Sequence, residues 1–121
     1  MAVFDSDIII DALNGVPQAR EVLLKYKRGF ISSITRAEIY FGMRKEEYYR
    51  TNALLDKFLE VPVDKQIVEL AYNIRDGERG LTLALYDTLI CATAVMKKDF
   101  IVTRNVRHFP AKLVKVFSPK Y

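Results

Sequence analysis

The chain has 121 residues, half of them hydrophobic and 28% charged, with a net charge of +4 and one cysteine. That length allows one domain with its own core and excludes two comfortable ones, so residues 1–121 are expected to form a single unit. Cys91 alone excludes an internal disulfide, and no apolar run approaches the ~20 residues that a membrane-spanning helix needs. Acids stand near the N-terminus where a secretory leader would carry bases, so a reducing cytoplasm is the expected setting, with no membrane role.

Short apolar runs alternate with longer segments of helical period, which predicts an α/β fold with a mostly parallel central sheet. Strands are predicted over residues 2–4, 29–32, 61–63, 100–103 and 113–117. Helices are predicted over 7–13, 18–27, 35–43, 46–59, 65–76 and 87–97, with a turn at 105–108. Asn14-Gly15-Val16-Pro17 separates the first two helices, Pro17 suiting a helix start. Gly77 and Gly80 predict a loop over 77–83, and Cys91, inside an apolar helical pattern, reads as a small core residue.

The chemistry begins where the first strand ends. Val3-Phe4 runs into Asp5, a helix follows with Ser6 or Asp7 as its expected N-cap, and Asp11 lies one turn further on. In open α/β sheets ligands bind beyond the carboxyl ends of the strands. Three carboxylates within seven residues repel one another there, and a divalent cation would resolve the repulsion.

Glu38 and Asp87 extend this pattern. Ile34 and Phe41 flank Glu38 at helical spacing, which puts its carboxylate on an apolar face; alternatively it is a first-turn acid behind a Ser33 or Thr35 cap. Ile90, Cys91 and Ala94 follow Asp87 at positions three, four and seven residues on, and a simple N-cap is again the competing explanation. Convergence of Asp5, Glu38 and Asp87 would form a hard-oxygen site suited to Mg²⁺ or Mn²⁺ rather than zinc. No Cys/His cluster exists, and His108, the single histidine, has no evident partner in the sequence. Tyr40-Phe41 and Tyr48-Tyr49 read as packing between helices or at a subunit contact.

Charge is unevenly divided. Residues 97–120 hold seven bases against Asp99, a net +6, which leaves −2 for the remainder. Such a surface suits a polyanion, with Arg104, Arg107 and Lys112 as phosphate-binding candidates, unless it is only a solvated face.

Four segments in order carry a resemblance to the PIN-domain nucleases, closest to the VapC-type toxins of toxin–antitoxin pairs. They are Phe4-Asp5-Ser6-Asp7-Ile8-Ile9-Ile10-Asp11, Ile31-Ser32-Ser33-Ile34-Thr35-Arg36-Ala37-Glu38, Asp87-Thr88-Leu89-Ile90-Cys91-Ala92-Thr93-Ala94 and Ile101-Val102-Thr103-Arg104-Asn105-Val106-Arg107-His108-Phe109. The resemblance implies a three-layer α/β/α sandwich, Mg²⁺-dependent endoribonuclease activity through a metal-activated water, homodimerisation and a VapB-type antitoxin partner. It implies Asp5, Glu38 and Asp87 as catalytic acids and metal ligands. Asn105 stands where many relatives carry a fourth acid, Asp7 restores part of that charge, and Thr103 matches a hydroxyl beside the site. Two rivals remain at this stage. A phosphoacceptor receiver domain needs an Asp closing a middle strand, for which Asp64 is available, although Asp64-Lys65-Gln66 reads better as a helix cap. A degenerate PIN domain would bind RNA or a partner without cutting.

Overall fold

The computed structural model describes residues 1–26, 29–77 and 83–121. In chain order the elements are β1 (Val3–Phe4), α1 (Ser6–Leu13), α2 (Pro17–Lys25), β2 (Phe30–Ser32), α3 (Ser33–Gly42), α4 (Tyr48–Leu55), β3 (Leu59–Val61), α5 (Lys65–Gly77), α6 (Leu85–Lys97), β4 (Ile101–Val102) and β5 (Val116–Phe117). Single 3-10 turns at Lys45–Glu47 and Val106–His108 lead into α4 and follow β4. All strand pairs are parallel, in the order β3-β2-β1-β4-β5.

Side chains alternate across a strand, and here the alternation divides two cores. Val3 and Ile101 point to a cluster with Ile67, Ala71 and Ile74 of α5 and Leu89, Ile90 and Cys91 of α6. Phe4, Ile31 and Val102 point the other way, onto Ile8 and Ile9 of α1, Ala19 of α2, Ile39 of α3 and Leu55 of α4. Helices therefore cover both faces of the sheet, which is why the strands read as unbroken apolar runs. This is the expected three-layer sandwich. Its order reverses at β1, with β2 on one side and β4 on the other, so the ends of β1 and β4 form the topological switch point. A receiver domain would have the order 2-1-3-4-5. That rival is excluded, and Asp64 does cap α5, its Oδ1 accepting from the Ile67 N–H at 2.9 Å.

Several boundaries differ from those predicted. The long helix over 46–59 is a 3-10 turn followed by the shorter α4, and the next strand is β3 rather than residues 61–63. β3 is an edge strand whose Leu59 and Glu60 are exposed, so backbone pairing with β2 rather than burial defines it. Ser32, not Ser33 or Thr35, caps α3; the Ser33 hydroxyl instead accepts from the Val63 N–H. The helix predicted over 18–27 ends at Lys25, and Lys27 lies outside the described residues. α5 continues through Gly77, and most of the loop predicted over 77–83 lies outside the described residues. Cys91 is fully buried in the core, as read.

One close approach fixes the entry to β2. A Cβ built on Gly29 would overlap the Phe4 ring and stand 3.3 Å from the Ala2 carbonyl. Phe4 is itself fully buried, with Tyr26 and Phe58 packed edge-on against it. Gly29→Ala is therefore expected to lower stability by roughly 1–3 kcal/mol, the scale of overpacking, in a denaturant titration.

Candidate active site

β1 passes into α1 with one residue between them, and that residue is Asp5. It, rather than Ser6 or Asp7, is the N-cap: Oδ1 accepts from the Ser6 N–H at 2.7 Å. Oδ1 also accepts from the Tyr86 hydroxyl at 2.8 Å, and Oδ2 accepts from the Thr103 hydroxyl at 2.8 Å. Asp5 is only 3% exposed, so these donors replace the water its charge has lost. Thr103 lies just past β4, within reach of Asp5 because β1 and β4 pair in parallel with Phe4 opposite Val102.

Glu38 reaches this group from α3. It accepts a hydrogen bond from the Ser6 hydroxyl through Oε1. The apolar face expected for it is not present: Glu38 is exposed, and Phe41, offered as its core neighbour, is 95% exposed. Asp87 sits in the first turn of α6, whose N-cap is Ala84, so the competing explanation of Asp87 as an N-cap is overturned. Its Oδ2 lies 3.3 Å from Nδ1 of His108, which the sequence left without a partner. The Asp87 carboxyl titrates above its ordinary value. Burial is the main cause, the His108 side chain opposes it, and the charges of Asp5 and Glu38 add to it. The three acids thus share one electrostatic neighbourhood at the switch point.

Asp7 is tied to the segment after β4. Its Oδ2 accepts from the Arg104 N–H at 2.8 Å, the Thr103 hydroxyl at 3.2 Å and Nδ2 of Asn105 at 3.3 Å. Burial and the neighbouring Asp5 charge still raise its pKa against those donors. Asn105 therefore enters as a donor to Asp7. Arg104 turns away from the three acids: Nη1 binds Asp11 Oδ2 at 2.9 Å and its guanidinium lies 4.8 Å from the centre of the Tyr121 ring. The Tyr121 hydroxyl donates to the same Asp11 oxygen at 2.8 Å. Arg107 and Lys112 are exposed.

The donor set is all oxygen, negatively charged and partly dehydrated, which suits a hard divalent cation. An ionised carboxylate has about four acceptor positions, and protein donors fill three on Asp5, leaving one on Oδ2. Among the described residues no three carboxylate, imidazole or thiol groups stand together as a ready cation cage. The residues therefore fit a cation held through a few oxygens and water rather than an all-protein shell.

The PIN domain model matches residues 2–112. The chain belongs to the PIN-domain family. A relative from Mycobacterium tuberculosis, Ribonuclease VapC10, is 34% identical over 115 residues, covering 91% of this chain and 86% of the relative. Ribonuclease VapC19 of the same organism is 30% identical over 118 residues, covering 91% and 93%. Among solved structures, a toxin–antitoxin complex from Klebsiella pneumoniae contains a chain that superimposes with a TM-score of 0.84 at 30% identity, covering 99% of this chain and 98% of that one.

Two residues at this PIN-domain site escaped sequence reasoning. Tyr86 was hidden as an aromatic at the edge of an apolar segment, although its place directly before Asp87 was a usable signal. Its hydroxyl, buried and beside the Asp5 charge, is held protonated well above the ordinary tyrosine value. His108 carried no signal, since its partner lies 21 positions away in the chain.

The raised Asp87 pKa has a defined sign. The folded chain binds this proton more tightly than the unfolded chain, so stability falls as pH rises from the ordinary value of 3.8 to the raised one and stays reduced above it. Asp87→Asn is expected to raise the melting temperature in EDTA by a few degrees at pH 7. That gain should vanish as the pH approaches 4, which a series of thermal melts checks.

Proposed function

We propose that this PIN-domain chain is a metal-dependent endoribonuclease acting as the toxin of a toxin–antitoxin pair. The carrying observation is that Asp5 and Glu38 meet at Ser6 while the charges of both act on Asp87 at the switch point, in a chain whose relatives are named ribonucleases. Asp5 and Asp87, with Glu38, would hold Mg²⁺ or Mn²⁺, with Asn105 and Asp7 at the margin. The cation would supply Lewis acidity toward the phosphoryl oxygen and a water activated at neutral pH. Thr103 fixes Asp5 Oδ2, and His108 braces Asp87. Glu38, exposed and tethered through a single oxygen, or Asp5 would orient the attacking water.

Arg107 and Lys112 would contact the phosphates of the RNA, positioning the strand without reading its bases. Arg104, whose guanidinium pairs with Asp11 and lies over the Tyr121 ring, would have less of its charge free for phosphates. The antitoxin surface belongs on the far end of α1. There a groove of about 440 Å³ is lined by Leu13, Leu23, Leu24, Leu54 and Phe58 and rimmed by Arg20, Arg50 and Lys57. An amphipathic segment with acidic residues on its wet side fits this combination. It comes from an antitoxin because the superimposing chain belongs to a toxin–antitoxin complex. Homodimerisation is part of the same reading: Tyr40, Tyr48 and Tyr49 pack in succession with Tyr49 86% exposed, and Phe41, next to Tyr40 in the chain, is 95% exposed, aromatic surface of the kind that marks an interface. No described helix is long and apolar enough to cross a membrane, and cytoplasmic action fits RNA as substrate.

RNA cleavage assayed with Mg²⁺ and with EDTA tests the reading. Asp5→Asn and Asp87→Asn are each expected to cut the rate by on the order of 10²-fold or more. RNA binding without Mg²⁺-dependent cleavage in the parent would instead favour the binding-only PIN domain. Neutralising Arg107 should weaken binding about equally across RNA sequences and flatten the salt dependence by roughly 0.7 of a log–log unit. Leu24, 69% exposed in the groove, separates the surfaces. Leu24→Asp should abolish co-purification with a co-expressed VapB-type antitoxin while leaving cleavage by the free chain unchanged.

A further inference from the structure

We propose that Tyr86 is a positioning residue for the metal-binding carboxylate of Asp5, holding it so that Oδ2 is the oxygen offered to the cation. The inference rests on the reading of Asp5 as a metal ligand given above.

The geometry is specific to one oxygen. The Tyr86 hydroxyl donates to Oδ1 at 2.8 Å, accepts from the Ser6 N–H at 3.2 Å and lies 3.4 Å from the Thr35 hydroxyl. Together with the Ser6 N–H it occupies both acceptor positions of Oδ1, so that oxygen is saturated by the protein. Oδ2 keeps one position beyond the Thr103 bond. Without the tyrosine, the carboxylate would retain one tether on each oxygen and could offer either to a cation.

Tyr86 also sets a spacing. It immediately precedes Asp87 in the first turn of α6, so anchoring its hydroxyl to Asp5 fixes α6 relative to the end of β1. The two ligands are thereby held at one separation by one side chain. Outer hydrogen-bond partners of metal-ligating carboxylates act in this way, and their loss costs roughly 10–100-fold in metal affinity.

Tyr86→Phe isolates the effect. It leaves the Ser6 N–H its 2.7 Å bond to Asp5 Oδ1 and removes only a long 3.4 Å contact from the buried Thr35 hydroxyl, so the variant is expected to fold. Mn²⁺ binding without RNA would be measured by the EPR signal of free Mn²⁺ for the parent, Tyr86→Phe and Asp5→Asn, each checked by a melt in EDTA. Tyr86→Phe is expected to bind Mn²⁺ about 10-fold more weakly and Asp5→Asn to show no comparable site. RNA affinity in EDTA should not change in Tyr86→Phe. Its half-saturating Mn²⁺ for cleavage should rise by the same factor, with excess Mn²⁺ restoring the rate, a rescue that general loosening of the fold would not give. Mn²⁺ affinity equal to or tighter than the parent's in Tyr86→Phe would overturn the inference alone. Equal binding by the parent and Asp5→Asn would overturn the underlying reading of Asp5. Should Tyr86→Phe show no cooperative melt, Tyr86→Met takes its place in the same measurements.

Discussion

An ionised carboxylate buried at the end of a central strand can persist only if protein donors replace its water. That demand, made by Asp5, organises the molecule around the switch point. The donors come from three separate places: the first residue of α1, the first turn of α6 and the residue after β4. β1 therefore stops at Phe4, α1 starts at once, and α6 is held so that its second residue meets the end of β1. The 3-10 turn after β4 is drawn in as well, because Thr103 accepts from the Asn105 N–H while it donates to Asp5.

This arrangement stabilises the chain and prepares a site at the same time. Saturating one oxygen of Asp5 favours folding, whereas placing Asp7 and Asp87 around it opposes folding through burial and repulsion. The positive end of the α1 dipole offsets part of that cost. At its other end α1 meets a different problem, and arginines answer it: Arg20 donates to the Ala12 carbonyl and Arg50 to the Leu13 carbonyl. One helix thus starts among the acidic cluster and ends against the groove, whose basic rim comes from α2, α4 and the turn after α4.

Arg104 shows why net charge is a poor guide to a binding surface. It lies in the most basic segment, yet its guanidinium joins Asp11 and the Tyr121 ring in a cluster that fastens the C-terminal residues to α1. The basic balance of residues 97–120 therefore includes a charge paired within the molecule, whereas Arg107 and Lys112 are exposed.

By itself the sequence determined the α/β class with its parallel sheet and the existence of nearly every element. These follow from apolar runs, helical period and chain-adjacent caps, all local quantities. Ser6, Asp7 and Asp87 show the limit within that range, since the residues that close their helices, Asp5 and Ala84, lie one to three positions earlier in the chain. Tertiary structure alone decided that Tyr86 grips Asp5, that His108 faces Asp87 and that Asn105 donates to Asp7. Parallel pairing of β1 with β4, and the crossover from β3 through α5 and α6 into β4, bring those residues together from distant parts of the chain. A hydrogen bond between residues 81 positions apart leaves no periodicity to read, because its partners are set by strand order and not by spacing.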